Sequence, residues 1–235
     1  MQTPNDVRFS FPRTSSELWA NAARLSAASP YFKDLFSGGF AESSTSAETR
    51  KRKRSDTLDE EDVADSDAER EVAAPPARAA SEDPPGRYHT VVTTHASHST
   101  YKAVLVWVYT SHITFARPRS RGPTTSPFLP GSVSAKSAYR LADFLGLTQL
   151  KSLALAHLKA NLTVRNVAEE LWGDTARLYP EVQDVEMAFA VANWEQVCKS
   201  DGMAEINRRM EGGGDEAAAA GLLFAKLAMR LKSPP

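Results

Sequence analysis

The sequence predicts an α+β fold in which helices dominate over a small sheet, followed by a C-terminal helical extension. Two short segments, residues 6–11 and 89–94, are rich in the residue types that half-buried strands prefer. From residue 133 onward, apolar residues recur almost throughout at helical spacing. Residues 43–86 have hardly any large apolar side chains, which indicates an interruption of the fold rather than a further element.

The first ordered segment is predicted over residues 5–42 and begins with the strand at 6–11. Val7, Phe9 and Phe11 lie on one face of that strand, and Pro12 ends it. Ser15 and Ser16 are suitable helix caps, so a helix is predicted over 16–28. Its apolar residues at helical spacing are Leu18, Trp19, Ala22 and Leu25.

A second, shorter helix is predicted from Pro30. Ser29 is a suitable cap for it, and proline is tolerated in the first turn of a helix. Gly38 and Gly39 are expected to end this helix, because glycine readily adopts the left-handed conformation found there. The sequence Phe40-Ala41-Glu42 follows at once.

The second and third ordered segments are predicted over 87–115 and 133–235. The second holds the strand at 89–94, a helix at 101–109 capped by Ser99 and Thr100, and a strand at 108–113. The third holds helices at 134–145, 148–160, 163–172, 183–198, 201–210 and 215–231, with Thr163 as a cap. We expect the last helix to cap the preceding bundle, while contact with a membrane surface or a partner helix stays open.

Two interruptions separate the ordered segments. Between Glu48 and Asp83 there are 12 acidic and 7 basic residues, and Ser, Ala and Pro make up most of the rest. Such a composition cannot bury enough apolar surface to offset the entropy of ordering, so the insert at 44–86 is predicted to be disordered. Residues 116–132, rich in Pro, Ser and Arg, are predicted to form a long loop.

Composition narrows the function classes. The net charge of −1 provides no overall field for nucleic acid or membranes. The single cysteine, Cys198, allows no internal disulfide and suits a reducing compartment. The chain begins without a secretory pattern and has no apolar run of the roughly 20 residues that span a bilayer. These features favour the nucleus or cytoplasm, without secretion or a membrane span.

No combination of residues indicates an enzyme, a cofactor or a metal site. His95 and His98 are the only close histidine pair, whereas a metal centre needs three or four ligands. Gly212-Gly213-Gly214 precedes acidic residues, not the Lys-Ser/Thr of a phosphate-binding loop. Cys198 is expected to be a small buried residue rather than a nucleophile.

Separate signatures follow one another along residues 5–160: Leu25, Ser29-Pro30-Tyr31-Phe32, Leu35-Phe36, Phe40-Ala41-Glu42-Ser43, Tyr101, Val108-Tyr109-Thr110, Tyr139-Arg140-Leu141-Ala142-Asp143, Leu150-Lys151 and Leu155. In this order they resemble the BTB/POZ domain, with the insert and the loop as interruptions, and the remaining residues, 161–235, form the helical extension. Leu18-Trp19-Ala20-Asn21 and Trp194-Glu195 look most similar to the fungal members of that family.

The resemblance implies a protein-interaction module that forms a homodimer through its first helix. In this sequence that helix is the one predicted at 16–28, so the expected dimer residues are Leu18, Trp19, Ala22 and Leu25. The alternative is that all four belong to the core. One helix face can be both buried in the core and bound to a second copy only if some of its residues do both. We therefore expect the four residues to have mixed roles.

Many members of the family are substrate adaptors of cullin-type ubiquitin ligases. The resemblance therefore implies a role in ubiquitination. In those members a hydrophobic residue, any residue and a glutamate follow the short helix, and Phe40, Ala41 and Glu42 occupy these positions. An apolar anchor beside an orienting charge is a suitable recognition element. The alternative is that Phe40 folds back on the helix and that Glu42 is only solvated.

The insert suggests a second function, that of a nuclear transcription co-regulator or scaffold. Five consecutive bases resemble a nuclear-import signal: Arg50, Lys51, Arg52, Lys53 and Arg54. A solubilising charged loop is an equally good interpretation. Direct binding of nucleic acid is not expected, because the acidic residues that follow cancel the field that phosphate binding requires.

Overall fold

The computed structural model describes residues 5–38, 43–45, 88–116, 131–211 and 215–232. They belong to two compact units. The first comprises the described residues up to Ala116 together with residues 131–154, and the second comprises those from Leu155 onward. Helices dominate over one small sheet, so the predicted α+β class is confirmed at this level.

The sheet belongs to the first unit and has four strands in the order β2-β1-β4-β3. β1 and β2 form an antiparallel hairpin, β1 and β4 run parallel, and β3 pairs antiparallel with β4. The central strand β1 buries every second residue, as its alternating sequence predicts. The bounds are β1 Val7–Phe11, β2 Ser16–Ala20, β3 Ser43–Thr45 and β4 His89–Val92.

The predicted helix at 16–28 is wrong in its first half, which is strand β2. A turn at residues 12–15 reverses the chain, and Ser15 adopts a left-handed conformation there with φ of 50°. Ser16 therefore begins the second strand of a hairpin instead of capping a helix. The helix α1 spans only Ala22–Ala28, and its cap is Asn21, whose side chain accepts a hydrogen bond from the Arg24 amide.

The sheet continues into the segment predicted to be disordered. Ser43–Thr45 forms β3, with Ser43 opposite Val91 and Thr45 opposite His89. These three residues have no strand pattern of their own, and the free edge of β4 supplies the hydrogen-bonding partner. The rest of the predicted insert lies outside the described residues, as do residues 117–130 of the predicted loop.

Four helices complete the first unit, and the last of them runs past its boundary. α2 agrees closely with its prediction, and α3 is longer than predicted at both ends. The strand predicted at 108–113 is wrong, because α3 continues to Thr110 and Ser111 ends it in the left-handed conformation, with φ of 57°. The helices are α2 Pro30–Ser37, α3 His98–Thr110, α4 Ala135–Phe144 and α5 Thr148–Ala160.

The core of the first unit is rich in aromatic rings. Phe9 lies with its ring centroid 5.7 Å from that of Phe32 and 5.3 Å from that of Tyr101. Phe11 meets Tyr101 edge-on at 5.5 Å. Aliphatic residues from the helices fill the space around the rings, among them Leu25, Leu35, Val104, Leu141 and Leu150.

The described part of the second unit is entirely helical. The helix predicted at 163–172 begins only at Val167, because Thr163 and Asn166 hydrogen-bond each other in a turn. The helix predicted at 183–198 is two helices that meet at Asn193. The helices are α6 Val167–Leu171, α7 Asp174–Leu178, α8 Pro180–Ala192, α9 Trp194–Val197, α10 Asp201–Glu211 and α11 Asp215–Lys232.

Candidate partner-binding surfaces

The four residues predicted to form the dimer surface do not share one helix face. Leu18 and Trp19 lie on strand β2, whereas Ala22 and Leu25 lie on α1. Leu25 is fully buried and belongs to the core, and Leu18 and Ala22 pack partly against it. Trp19 is half-buried, with its ring centroid 5.2 Å from that of Tyr88. The prediction that one helix presents all four residues is therefore wrong.

The exposed surface beside α1 includes residues of α3 that sequence reasoning missed. Tyr109 and Val106 are 40% and 46% exposed, one turn apart on α3. The Tyr109 hydroxyl accepts a hydrogen bond of 2.7 Å from the Asn21 amide, and the Arg24 guanidinium lies 5.9 Å from the Tyr109 ring centre. Val106, two residues after Val104 on α3, lies off the apolar face and is the signal in the sequence, whereas Tyr109 follows Leu105 by four residues on the same side and gives none.

A second exposed cluster is aromatic and joins α2, α4 and the loop before α3. The ring centroid of Phe144, which is 46% exposed, lies 4.3 Å from that of His95 and 4.7 Å from that of Tyr31. His95 Nε2 is 3.2 Å from the Tyr101 hydroxyl. Because each ring supports the next, this cluster presents a pre-organised apolar surface of the type that anchors protein partners.

Helix α2 is firmly held at its N-terminal end. The Ser29 hydroxyl accepts a hydrogen bond from the Phe32 amide and donates one of 2.6 Å to the Leu145 carbonyl oxygen. Ser29 is 1% exposed, so this contact satisfies polar atoms inside the core. The helix ends at Gly38, whose amide bonds to the Asp34 carbonyl oxygen. Helix α2 is therefore capped at both ends.

The two remaining predicted sites lie outside the described residues. They are the cullin-like pair, Phe40 and Glu42, and the basic run from Arg50 to Arg54. Phe40 and Glu42 follow α2 within five residues of its last residue, Ser37. The basic run lies between β3 and β4 in the sequence.

In the second unit, α8 borders a shallow apolar groove. Its volume is about 420 Å³, and it is lined by Lys159, Asp184, Val185, Ala188 and Phe189. Asp184 also receives a hydrogen bond of 2.5 Å from Arg230 of α11. The lining therefore combines three apolar residues with two charged ones, and one of these, Asp184, is held by α11.

Candidates for metal ligation do not converge in the described ranges. No group of three His, Cys, Asp or Glu side chains there could hold a metal ion. Cys198 is exposed, with its Sγ 3.3 Å from the Glu195 carbonyl oxygen, so the expectation of a buried cysteine is wrong. In the same ranges, every helix is too short or too polar to cross a membrane.

Comparison with known proteins adds no assignment. No protein-family model matches the chain. No curated protein matches it either.

Proposed function

We propose that this chain is a BTB/POZ-type interaction protein that self-associates and recruits a further protein, acting as a substrate adaptor of a cullin-type ubiquitin ligase. The observation that supports it most directly is where the resembling residues lie. Apart from Ser29 and those at 40–43, the signatures from residue 25 to residue 155 come from α1, α2, α3, α4 and α5. Seven of these residues belong to the core of the first unit: Leu25, Phe32, Leu35, Tyr101, Leu141, Ala142 and Leu150.

The surface formed by α1 and α3 is the proposed self-association site. It includes the exposed Val106 and Tyr109, with Arg24 beside the tyrosine ring. Tyrosine and arginine are the residue types that contribute most at protein interfaces. A twofold axis would pair this surface with itself, as in most soluble homodimers.

Val106→Asp tests this surface, because it places a charge on an exposed apolar position without touching the core. We expect light scattering to give the mass of a dimer for the wild-type chain and the mass of a monomer for the variant. Leu153→Asp is the matched control, since Leu153 is 48% exposed on α5. A dimer that Val106→Asp leaves intact at about 1 µM protein would contradict the assignment of this surface.

The recruitment site is proposed at Phe40 and Glu42, next to the fixed helix α2. The contact between Ser29 and Leu145 holds the start of that helix, and the two residues follow its last residue within five positions in the sequence. The aromatic cluster of Tyr31, His95 and Phe144 offers additional apolar contact in the same unit.

The test is to measure the mass of the chain with and without a purified cullin N-terminal domain. We expect one cullin per chain, and we expect Phe40→Ala and Glu42→Lys each to abolish the gain in mass. Val92→Ala is the matched control, because Val92 is 57% exposed on β4. A chain whose mass is indifferent to the cullin domain would exclude the adaptor role and leave a scaffold role.

The second candidate function is nuclear co-regulation, and the basic run Arg50–Arg54 favours it. We expect the full chain to accumulate in the nucleus and a variant with residues 51–54 neutralised to remain in the cytoplasm. Neutralising Lys102 and Lys136 instead is the control. Equal distribution of the wild type and the 51–54 variant would contradict the import role.

A further inference from the structure

The last helix, α11, has apolar residues on two opposite faces. One face is buried in the core of the second unit through Ala220, Leu223 and Leu227. The other includes Leu222 and Met229, which are 65% and 68% exposed and are the most exposed large apolar residues of the described chain. A surface helix of a monomer is expected to be polar on its outer face.

The exposed residues form a continuous stripe. Leu222, Ala225 and Met229 follow one another at spacings of three and four, which places them in one line along the helix. A side chain added at Gly221 would meet no atom within 4 Å, so the surface beside Leu222 is open. We call Leu222, Ala225 and Met229 the outer stripe of α11.

Two hydrogen bonds fix the rotation of α11, so the outer stripe does not turn inward. Lys226 donates to the Gln183 side chain over 3.2 Å, and Arg230 donates to Asp184 over 2.5 Å. Both partners belong to α8, within the same unit. With its other face in the core as well, the helix presents the outer stripe to a partner.

From these observations we propose that the outer stripe of α11 binds the same stripe of a second copy of this chain, with the two helices antiparallel. The helix begins with Asp215 and Glu216 and ends with Lys232. An antiparallel arrangement places the acidic start of each helix opposite the basic end of the other. The opposed helix dipoles favour the same arrangement.

The antiparallel register also matches large residues with small ones. When residue 215 lies opposite residue 232, Leu222 lies opposite Ala225 of the second copy, and Met229 lies opposite position 218, which is also alanine. Small residues opposite large ones let two helices approach to about 8 Å. A parallel pair would instead place like charges together at both ends.

A membrane surface is a less suitable occupant. Helices that lie on membranes have a broad apolar face opposite a strongly charged one. In α11 the face opposite the stripe is buried in protein, and Lys226 and Arg230 are engaged with α8. A contact between two single helices is small, so we expect a dissociation constant on the order of 10 µM.

The experiment measures mass against concentration for the full chain and three variants: Val106→Asp, Leu222→Glu/Met229→Glu, and all three changes together. Val106→Asp removes the other proposed self-association surface and isolates the contact through α11. We expect this variant to pass from monomer to dimer over roughly 1–100 µM. The triple variant is expected to stay monomeric, with Leu178→Glu as a control, since Leu178 is 44% exposed on α7.

The outcomes separate this proposal from the proposed function. The proposal is overturned if the Val106→Asp chain is monomeric throughout that concentration range. It is also overturned if adding Leu222→Glu/Met229→Glu to that chain leaves its mass unchanged. In both cases the surface on α1 and α3 can stand. If Val106→Asp has no effect but the α11 variant abolishes dimers, only the contact through α11 survives. Binding of the Val106→Asp chain to anionic phospholipid vesicles, lost on Leu222→Glu/Met229→Glu, would also overturn it.

A distance measurement tests the orientation. With Cys198→Ser as background, a spin label at position 232 should lie about 25 Å along the helix axis from its counterpart in an antiparallel pair. In a parallel pair the two labels would be within about 10 Å of each other. The short distance would overturn the antiparallel proposal.

Discussion

In the first unit the centre of the core consists of rings, whereas in the second unit it consists of flexible aliphatic side chains. Phe9, Phe32 and Tyr101 contact one another at fixed angles. The second core is built from residues such as Leu171, Met187 and Leu227, and aromatics such as Trp172 and Phe224 lie at its margin, only partly buried. Rings tolerate few arrangements, while methionine adapts to its surroundings.

Because of this difference, we expect core substitutions to reduce stability more in the first unit than in the second. The more rigid core of the first unit is also the better support for a fixed partner-binding surface. The second unit has a more adaptable core and places its exposed apolar residues on one long helix. The predictions below compare a change in the first unit with a matched change in the second, except that for Ser29, whose control lies in the first unit as well.

The largest effect is expected for Phe9→Ala. Phe9 is fully buried and contacts two other rings, so we expect its loss to reduce the free energy of unfolding by about 3–5 kcal/mol. Met187→Ala should cost less, about 2–3 kcal/mol, because the flexible neighbours can close part of the cavity. Urea unfolding, with hydrogen exchange to assign the loss to each unit, measures both. An equal or larger cost for Met187→Ala would contradict the comparison.

Ser29→Ala is expected to have the next largest effect, about 1–3 kcal/mol. It removes the cap of α2 and also leaves the buried Leu145 carbonyl oxygen without that donor. Ser134→Ala is the control, because it removes a cap on α4 from a position that is only half-buried, at about 1 kcal/mol or less. If both variants lose the same stability, the contact with Leu145 contributes nothing beyond capping.

Opposite signs are expected for two glycine substitutions. Gly146 has a φ of 69°, and a Cβ there would lie 2.6 Å from the Pro30 Cγ, so Gly146→Ala should destabilise the first unit by about 1–2 kcal/mol. Gly221 lies in helix α11 with open space around it, so Gly221→Ala should stabilise that helix by up to about 1 kcal/mol. Thermal unfolding at low protein concentration tests both, and a loss of stability at Gly221 would contradict the open surface beside the outer stripe.

Sequence patterns predicted the elements whose determinants are local. α5 has its predicted bounds, and α2 lies where Ser29, Pro30 and Gly38 place it. Sequence patterns failed where contacts with residues distant in the sequence determine the secondary structure. β3 exists because β4 lies beside it, and β2 exists because the turn at 12–15 returns the chain to β1. Residues 16–20 suit a helix or a strand, and the sheet decides between them.

The candidate surfaces also divide into those that local sequence reveals and those that only the fold assembles. The exposed Val106 could have been found from its spacing on α3, since it lies off the face that holds Val104 and Leu105, whereas Tyr109 lies on the same side as Leu105 and could not. The cluster of Tyr31, His95 and Phe144 could not, because three distant parts of the sequence supply one ring each. Only the fold brings such residues together. Phe40, Glu42 and the basic run stay predictions from the sequence.

The smallest effects are expected for two lysines in ion pairs, and they test whether the difference between the units extends to their surfaces. Lys151 Nζ lies 2.7 Å from Asp143 and 5.3 Å from the Tyr139 ring centre, and it joins α4 to α5. Lys199 pairs with Glu195 over 3.1 Å, one turn away and with both side chains largely exposed. Because solvent screens the exposed pair, Lys199→Met should change stability by less than about 0.3 kcal/mol. Lys151→Met should cost about 0.5–1 kcal/mol, since it loses a partly shielded pair and a cation–π contact together. Urea unfolding of both variants, repeated in 1 M salt, tests the cause. If Lys151 is shielded from solvent, the difference in stability loss between the two variants should shrink only slightly in salt. If that difference disappears, the Lys151 pair is screened like any surface pair.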